Sequence, residues 1–254
     1  MTVIQSNVVP RVHRLGSSVA NWYLVEDGDR LTAVDAGLPP PGFAQDLERD
    51  LHELGHRPGD VEAVLLTHSD SDHTGLTTAL RDAGARVYIH GDDRATVAKP
   101  GPKGGDARPV KLVRSLWHPQ LWLTFGAMLR AGAWRPTKLE DPEVISDGDE
   151  LQVPGRPRVI HTPGHTPGHC AFLFDDRRAL FAGDALCTWN VVTGKRGPQP
   201  FAGPLNVSNA QARESLRRLG GSRPRSPSRG TATRGTARRP PCRASPGGGL
   251  DSGA

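Results

Sequence analysis

The stretch Thr67-His68-Ser69-Asp70-Ser71-Asp72-His73-Thr74-Gly75, residues 67–75, sets four metal-type ligands within six residues. They are His68, Asp70, Asp72 and His73. The apolar run Val61–Thr67 leads into them and reads as a short buried strand. Four such side chains cannot all turn into a core, because burying carboxylates and imidazoles is costly unless cations or hydrogen bonds compensate them. Strand ends also open into loops, where binding and catalytic residues concentrate. The plainer alternative is a polar turn in which Asp72 caps a helix starting near Gly75.

Working outward, the same arrangement recurs. His161-Thr162-Pro163-Gly164-His165-Thr166-Pro167-Gly168-His169 follows the apolar strand Arg158–His161, and Asp184 stands where strand Ala179–Ala182 ends. Three strand ends offering ligands of this kind point to a binuclear site for borderline-to-hard divalent ions. Further strands are expected at Val19–Val25, Leu31–Val34, Arg86–His90, Leu151–Val153 and His169–Phe174. A helix is expected at Phe43–Leu54, where apolar residues recur at 43, 47, 51 and 54 before Gly55. Others fall at Leu76–Asp82, at Val207–Leu219, and in one or two pieces between Val110 and Trp134, broken near Pro119. Strands, then helix, then strands again, without sustained βαβ alternation, favour a layered α/β sandwich over a doubly wound sheet.

Four motifs in order, Asp35-Ala36-Gly37, residues 67–75, residues 161–169 and Phe181-Ala182-Gly183-Asp184-Ala185-Leu186, resemble the metallo-β-lactamase superfamily over about residues 10–220. The resemblance implies an α/β (α+β) fold, a four-layer αββα sandwich with its site at one edge of the two sheets. It implies a metal-dependent hydrolase. The superfamily's H-x-H-x-D-H motif maps onto His68, Asp70, Asp72 and His73, its next metal histidine onto His165, and its bridging acid onto Asp184. On that mapping His68, Asp70, His165 and Asp184 hold one ion, and Asp72, His73 and Asp184 hold a second. A bridging hydroxide would attack an ester, thioester, lactone or amide carbonyl, with Asp72 orienting it as the catalytic residue. Zn2+ is the ion the resemblance implies. Asp70 stands where the second histidine is usual, and its oxygen favours Mn2+ or Fe2+ relative to zinc. That carboxylate also leaves open a non-haem iron oxidoreductase of the same fold, and a metal-impaired member is a third reading. Asp35 is expected either to hydrogen-bond the metal loop or simply to build a turn. His161 and His169 are expected to support ligands or simply to pack rather than to be ligands, Cys187 to pack, and His90 and His118 to take no part.

Composition confines the partners. The chain has 254 residues, a formal charge of +5 and three cysteines without a CxxC pair, which excludes a disulfide framework or a thiolate zinc finger. Its basic balance is local: seven Arg and one Asp put +6 into residues 221–254, leaving −1 for residues 1–220. No nucleic-acid partner is therefore expected, and a small-molecule substrate is. That tail, rich in Gly, Pro and Ser with Leu250 as its one large aliphatic residue, is expected to be disordered. It is also expected to be out of frame. No histidine follows His169, so the superfamily's late G-H-G metal motif is missing, and shifting the frame across Ser222–Arg234 with GC-rich codons allows EAEVAVPGHGDP, which restores it. The longest apolar run, about Leu121–Leu129, is too short to span a bilayer, and the N-terminus lacks the apolar core of a secretion signal. A cytoplasmic location and no membrane partner are the expectations. Residues 99–140 carry eight Lys/Arg against Asp106 and Glu140, with Trp117, Trp122 and Trp134. This helical insertion, about residues 100–140, reads either as an amphipathic helix packing on the sandwich or a second copy, or as a cationic, aromatic lid over an anionic or lipophilic substrate.

Overall fold

In the computed structural model, which describes residues 4–16, 20–38, 43–99, 101, 105–106, 113, 115–131 and 137–221, the strand that leads into His68 lies inside a seven-stranded sheet. The sheet is laid down in chain order. β1 (Gln5–Val9), β2 (Val12–Gly16), β3 (Asn21–Asp27) and β4 (Arg30–Val34) pair antiparallel in succession. β5 (Val61–Leu65), β6 (Arg86–His90) and β7 (Glu143–Ile145) then add in parallel. Each parallel step needs a crossover. The crossovers carry α1 (Phe43–Glu53), then α2 (Ser71–Thr74) with α3 (Thr77–Asp82), then α4 (Gly91–Ala98) with α5 (Pro119–Arg130). A second, antiparallel sheet has β9 (Cys170–Phe174) between β8 (Arg158–His161) and β10 (Ala179–Phe181). A hairpin of β11 (Cys187–Trp189) and β12 (Arg196–Gln199) precedes α6 (Asn209–Gly221).

Side chains alternate across a strand, so each central strand feeds two cores. Val64 and Leu66 pack with Leu47 and Leu51 of α1, Leu80 of α3 and Val97 of α4. Ala63 and Leu65 turn the other way, onto Cys170, Phe172 and Phe174 of β9. The opposite face of β9, Ala171 and Leu173, packs with Leu219 of α6. Helices, sheet, sheet, helix is therefore the layer order, the αββα sandwich that the motifs implied.

Most expected elements are present, with shifts at their ends. The strand expected at Val19–Val25 is β3, two residues later, and Gly55 ends α1 in a left-handed conformation (φ +83). Leu151–Val153 is not a strand. Its backbone turns back on itself through Arg156 N–H to Val153 O (2.9 Å), and Gly155 (φ +79) lets the Phe174 ring approach so closely that a Cβ would lie 2.8 Å from it. β1, β2, β7, α4 and the β11–β12 hairpin carry no strong periodic signal: β1 is mostly exposed, β7 has three residues, and α4 gives the helix-side core only Val97. The expected tail, 221–254, lies outside the described residues beyond Gly221, as do parts of the insertion.

Phe172 is fully buried between the sheets. Phe172→Ala should lower unfolding stability by about 3–5 kcal/mol. Phe125→Ala, on the exposed face of α5, should change it by less than about 0.5 kcal/mol. Urea unfolding of both variants checks the layer assignment, and equal losses would contradict it.

Candidate metal centre

The ends of both sheets deliver the ligand-type side chains to one edge. β4 runs into Asp35, β5 into Thr67–Asp70, and α2 carries Asp72 and His73. The β8–β9 loop carries His165, and a 3-10 turn after β10 carries Asp184. Asp35 adopts a left-handed backbone (φ +60), a conformation that Asp tolerates better than most residues. Its buried carboxylate accepts from Thr67 N–H (2.8 Å) and Thr67 Oγ1 (2.9 Å) and pairs with His73 Nδ1 at 2.8 Å. Asp35 thus ties the metal-type loop down; it does more than turn the chain.

Each histidine is held on one side and leaves the other facing carboxylates. His73 Nε2 lies 3.6 Å from Asp184 Oδ1 and 3.7 Å from Asp72 Oδ2. His165 Nδ1 meets Asn206 Oδ1 (3.1 Å), while its Nε2 lies 3.0 Å from Asp70 Oδ2 and 3.4 Å from Asp184 Oδ2. Asp184 therefore offers a different oxygen to each ring. His68 Nδ1 meets Thr67 Oγ1 at 3.0 Å. Its Nε2 is buried without a hydrogen-bond partner, 3.5 Å from Asp70 Oδ2.

An orphaned buried imidazole nitrogen is costly, and a second partner at Nδ1 is how proteins orient a metal-binding ring. The ligand atoms of His68, Asp70 and His165 lie within 4.8 Å of one another, as do those of His68, His73 and Asp184. Imidazole with carboxylate suits divalent ions, so the residues fit such a group. His68 belongs to both groups, whereas the sequence mapping gave it to one, and Asp72 stands beside the second group.

The electrostatics point the same way. Burial pushes His68 well below its ordinary range, with His73 adding repulsion. Burial also penalises a charged His73, but the Asp35, Asp72 and Asp184 carboxylates outweigh it and hold the ring well above its ordinary range. Asp72 is pushed up, first by burial, then by Asp70 and Asp184, against the pull of His73. Carboxylates gathered at one edge contribute to both upward shifts, a setting that a divalent cation would relieve.

Two supporting residues, Asp93 and Asn206, left no mark in the sequence pattern. Asp93, fully buried in the first turn of α4, accepts from Ser69 N–H (3.0 Å), Thr166 Oγ1 (2.7 Å) and Gly168 N–H (2.7 Å). Gly168 must lack a side chain because a Cβ would lie 2.6 Å from the Asp93 nitrogen. His169 meets Thr162 Oγ1 (2.7 Å) through Nδ1 and accepts the Asp184 N–H (3.0 Å) at Nε2, so it fixes the turn that carries Asp184. His161 instead bonds Pro167 O at 2.8 Å and stacks on His90, ring centres 4.1 Å apart and planes 9° from parallel. With Asp92 these two form a third group of ligand-type atoms, but one ion cannot lie in two parallel ring planes. Cys187 sits with its thiol pushed up by burial and directed at Gln199 O, unsuited to act as a nucleophile. His118 occupies the N-cap position of α5, outside the cluster.

Asp93→Ala would leave two buried N–H groups without an acceptor and should cost on the order of 2–4 kcal/mol of stability. Asp92→Ala, at the exposed neighbouring position, serves as the control and should cost less than about 0.5 kcal/mol. Chemical denaturation distinguishes the two.

Residues 15–225 match the metallo-beta-lactamase superfamily. The chain is 29% identical over 192 residues to the probable metallo-hydrolase YflN of Bacillus subtilis, a match taking in 70% of this chain and 64% of that one. It therefore spans less than two thirds of YflN's length. It is 27% identical over 168 residues to the hydroxyacylglutathione hydrolase GloC of Haemophilus influenzae, covering 65% of this chain and 66% of GloC. The crystal structure of the metallo-beta-lactamase family protein TTHA1429 from Thermus thermophilus superposes with a TM-score of 0.55 at 27% identity, covering 86% of this chain and 68% of that one. The layered sandwich, the ligand-type edge and the matched span agree: this chain belongs to the metallo-beta-lactamase superfamily, a family of metal-binding proteins.

Proposed function

We propose that this chain is a metal-dependent hydrolase of an ester-type carbonyl, with a thioester as the leading substrate class and lactone, ester and amide behind it. The observation that carries the reading is Asp184 dividing its two oxygens between His73 and His165, beside the unpartnered Nε2 of His68. His68, Asp70, His165 and Asp184 would hold one ion, and Asp72, His73 and Asp184 a second. A bound divalent cation would lower the pKa of water to around 7 and polarise the carbonyl. The chain's own residues do the rest. Asp35 and Asn206, at the Nδ1 atoms of His73 and His165, keep both Nε2 atoms turned to the site. Asp72, at the start of α2 and 3.7 Å from His73 Nε2, orients the attacking water and takes its proton. The thioester preference rests on the likeness to a hydroxyacylglutathione hydrolase.

Asp70 close to His165 Nε2 supports oxygen-favouring ions, Mn2+ or Fe2+, beside Zn2+, and with iron an oxidoreductase is the second reading. The second ion has the poorer ligand set, since no histidine follows His169. The superfamily match also stops at residue 225, and an out-of-frame tail accounts for both facts. Sequencing the gene across codons 215–240 tests this directly, and neither alternative frame containing the G-H-G peptide would end it.

Elemental analysis of the purified chain should find divalent metal. Chelation should abolish turnover of acyl-thioesters, and turnover that survives full metal removal would refute the hydrolase reading. Iron with oxygen-consuming activity and no hydrolysis would select the oxidoreductase. Asp35→Asn should weaken metal affinity by about 10–100-fold without unfolding the chain, measured by competition with a chromogenic chelator.

A further inference from the structure

We infer that the outward face of α5 is a docking surface for an anionic lipid membrane. The inference stands on α5 and its charge setting, independently of the metal centre.

A surface helix ordinarily turns its apolar stripe inward. α5 does the reverse. Trp122, Phe125 and Leu129 recur at helical spacing with Leu123 beside them, and all four are exposed. Trp122 is 56% exposed, Leu123 66% and Phe125 54%, while Trp117, just before the helix, reaches 89%. Two contacts toward the body are polar. Thr124, the buried residue of the helix, donates to Val191 O at 2.9 Å, and Gln120 lies against Gly194. Among the described residues, α5 therefore does not pack on the sandwich through its Trp122, Phe125 and Leu129 face. A contiguous exposed apolar face of this kind marks an interaction site.

Charge selects the occupant. From residue 107 to residue 139 the sequence has six Lys/Arg and no acid, which leaves −7 for the rest of residues 1–220. Arg130 closes the exposed helix face itself. A two-fold dimer would bring two copies of this cation-rich stretch of sequence together, with Arg130 of each helix at the seam. A single-stranded nucleic acid is served by a cationic groove with stacking aromatics, whereas this face carries leucines between its aromatics. An anionic bilayer supplies both needs: headgroup charge for the cations and an interfacial zone for Trp, Phe and Leu. No helix among the described residues is long and apolar enough to cross a membrane, so α5 would lie in the interface plane. The sequence-based expectation of no membrane partner rested on the lack of a spanning segment, which an interfacial helix does not need.

The test is co-sedimentation of the full chain with vesicles of pure phosphatidylcholine and with vesicles containing about a third phosphatidylglycerol. The chain should bind the anionic vesicles at least about tenfold more tightly than the neutral ones, and less so at high salt. The double variant Trp122→Ser with Phe125→Ser should lose at least about tenfold of that binding while keeping its urea midpoint. Arg130→Glu should weaken anionic binding alone. Equal binding by the double variant would assign the lipid affinity to the arginine-rich tail and overturn the inference. So would failure of the unaltered chain to bind. A dimer in sedimentation velocity that the double variant dissolves would give the face to a second copy, and oligonucleotide binding lost in the same variant would give it to a nucleic acid; either result also overturns it.

Discussion

A site shared by two sheets exists only if the loops at their ends keep a fixed relation, and the Asp93 carboxylate supplies that constraint. It belongs to α4, on the outer helical layer, yet it accepts hydrogen bonds from Ser69 in the loop after β5 and from Thr166 and Gly168 in the loop before β9. These two loops carry His68, Asp70 and His165. A buried carboxylate is tolerated here because three donors converge on it. The backbone link from Cys170 N–H to Thr67 O at 2.7 Å ties the same two strand ends, so side-chain and main-chain contacts enforce one geometry.

Around that junction, support and chemistry are divided between residues. Asp35, Asn206, Thr67 and His169 each hydrogen-bond a ligand-type group, and the opposite edges of the His68, His73 and His165 rings face Asp70 and Asp184. The arrangement is unfavourable without a cation, since it gathers carboxylates at a buried edge and leaves an imidazole nitrogen unpartnered. Natural folds accept such local cost at functional sites. The glycines at the junction follow from the same crowding: Gly183 (φ +48) stands where a Cβ would lie 2.7 Å from His169 Nε2.

The membrane-facing helix and the metal edge are different kinds of deviation. At the metal edge, polar groups are buried together; on α5, apolar groups are left outside. Both break the usual partition between core and surface, and both lie off the regular sandwich, in loops and in an insertion that the sheet order does not require. Superfamily folds commonly vary in this way, with a constant scaffold and function set by what is attached to it.

Amino-acid order alone pointed to the layered sandwich and to the strand ends that carry the candidate ligands, because clusters of His and Asp there are local features that no core can absorb. The unbroken apolar run Ala63-Val64-Leu65-Leu66 likewise announced a buried strand, and the structure buries both its faces. Tertiary structure decided what depends on distant partners. That His68 serves two ligand groups, that Asp93 binds both loops, and that His169 holds the Asp184 turn while His161 stacks on His90 are contacts between segments far apart in the chain. Leu151–Val153 had strand-like residues, yet Gly155 and the Phe174 ring beside it made a turn. The apolar stripe of α5 was visible in the sequence, but its direction was not: a periodic pattern records which residues share a face, and only packing decides which way that face turns.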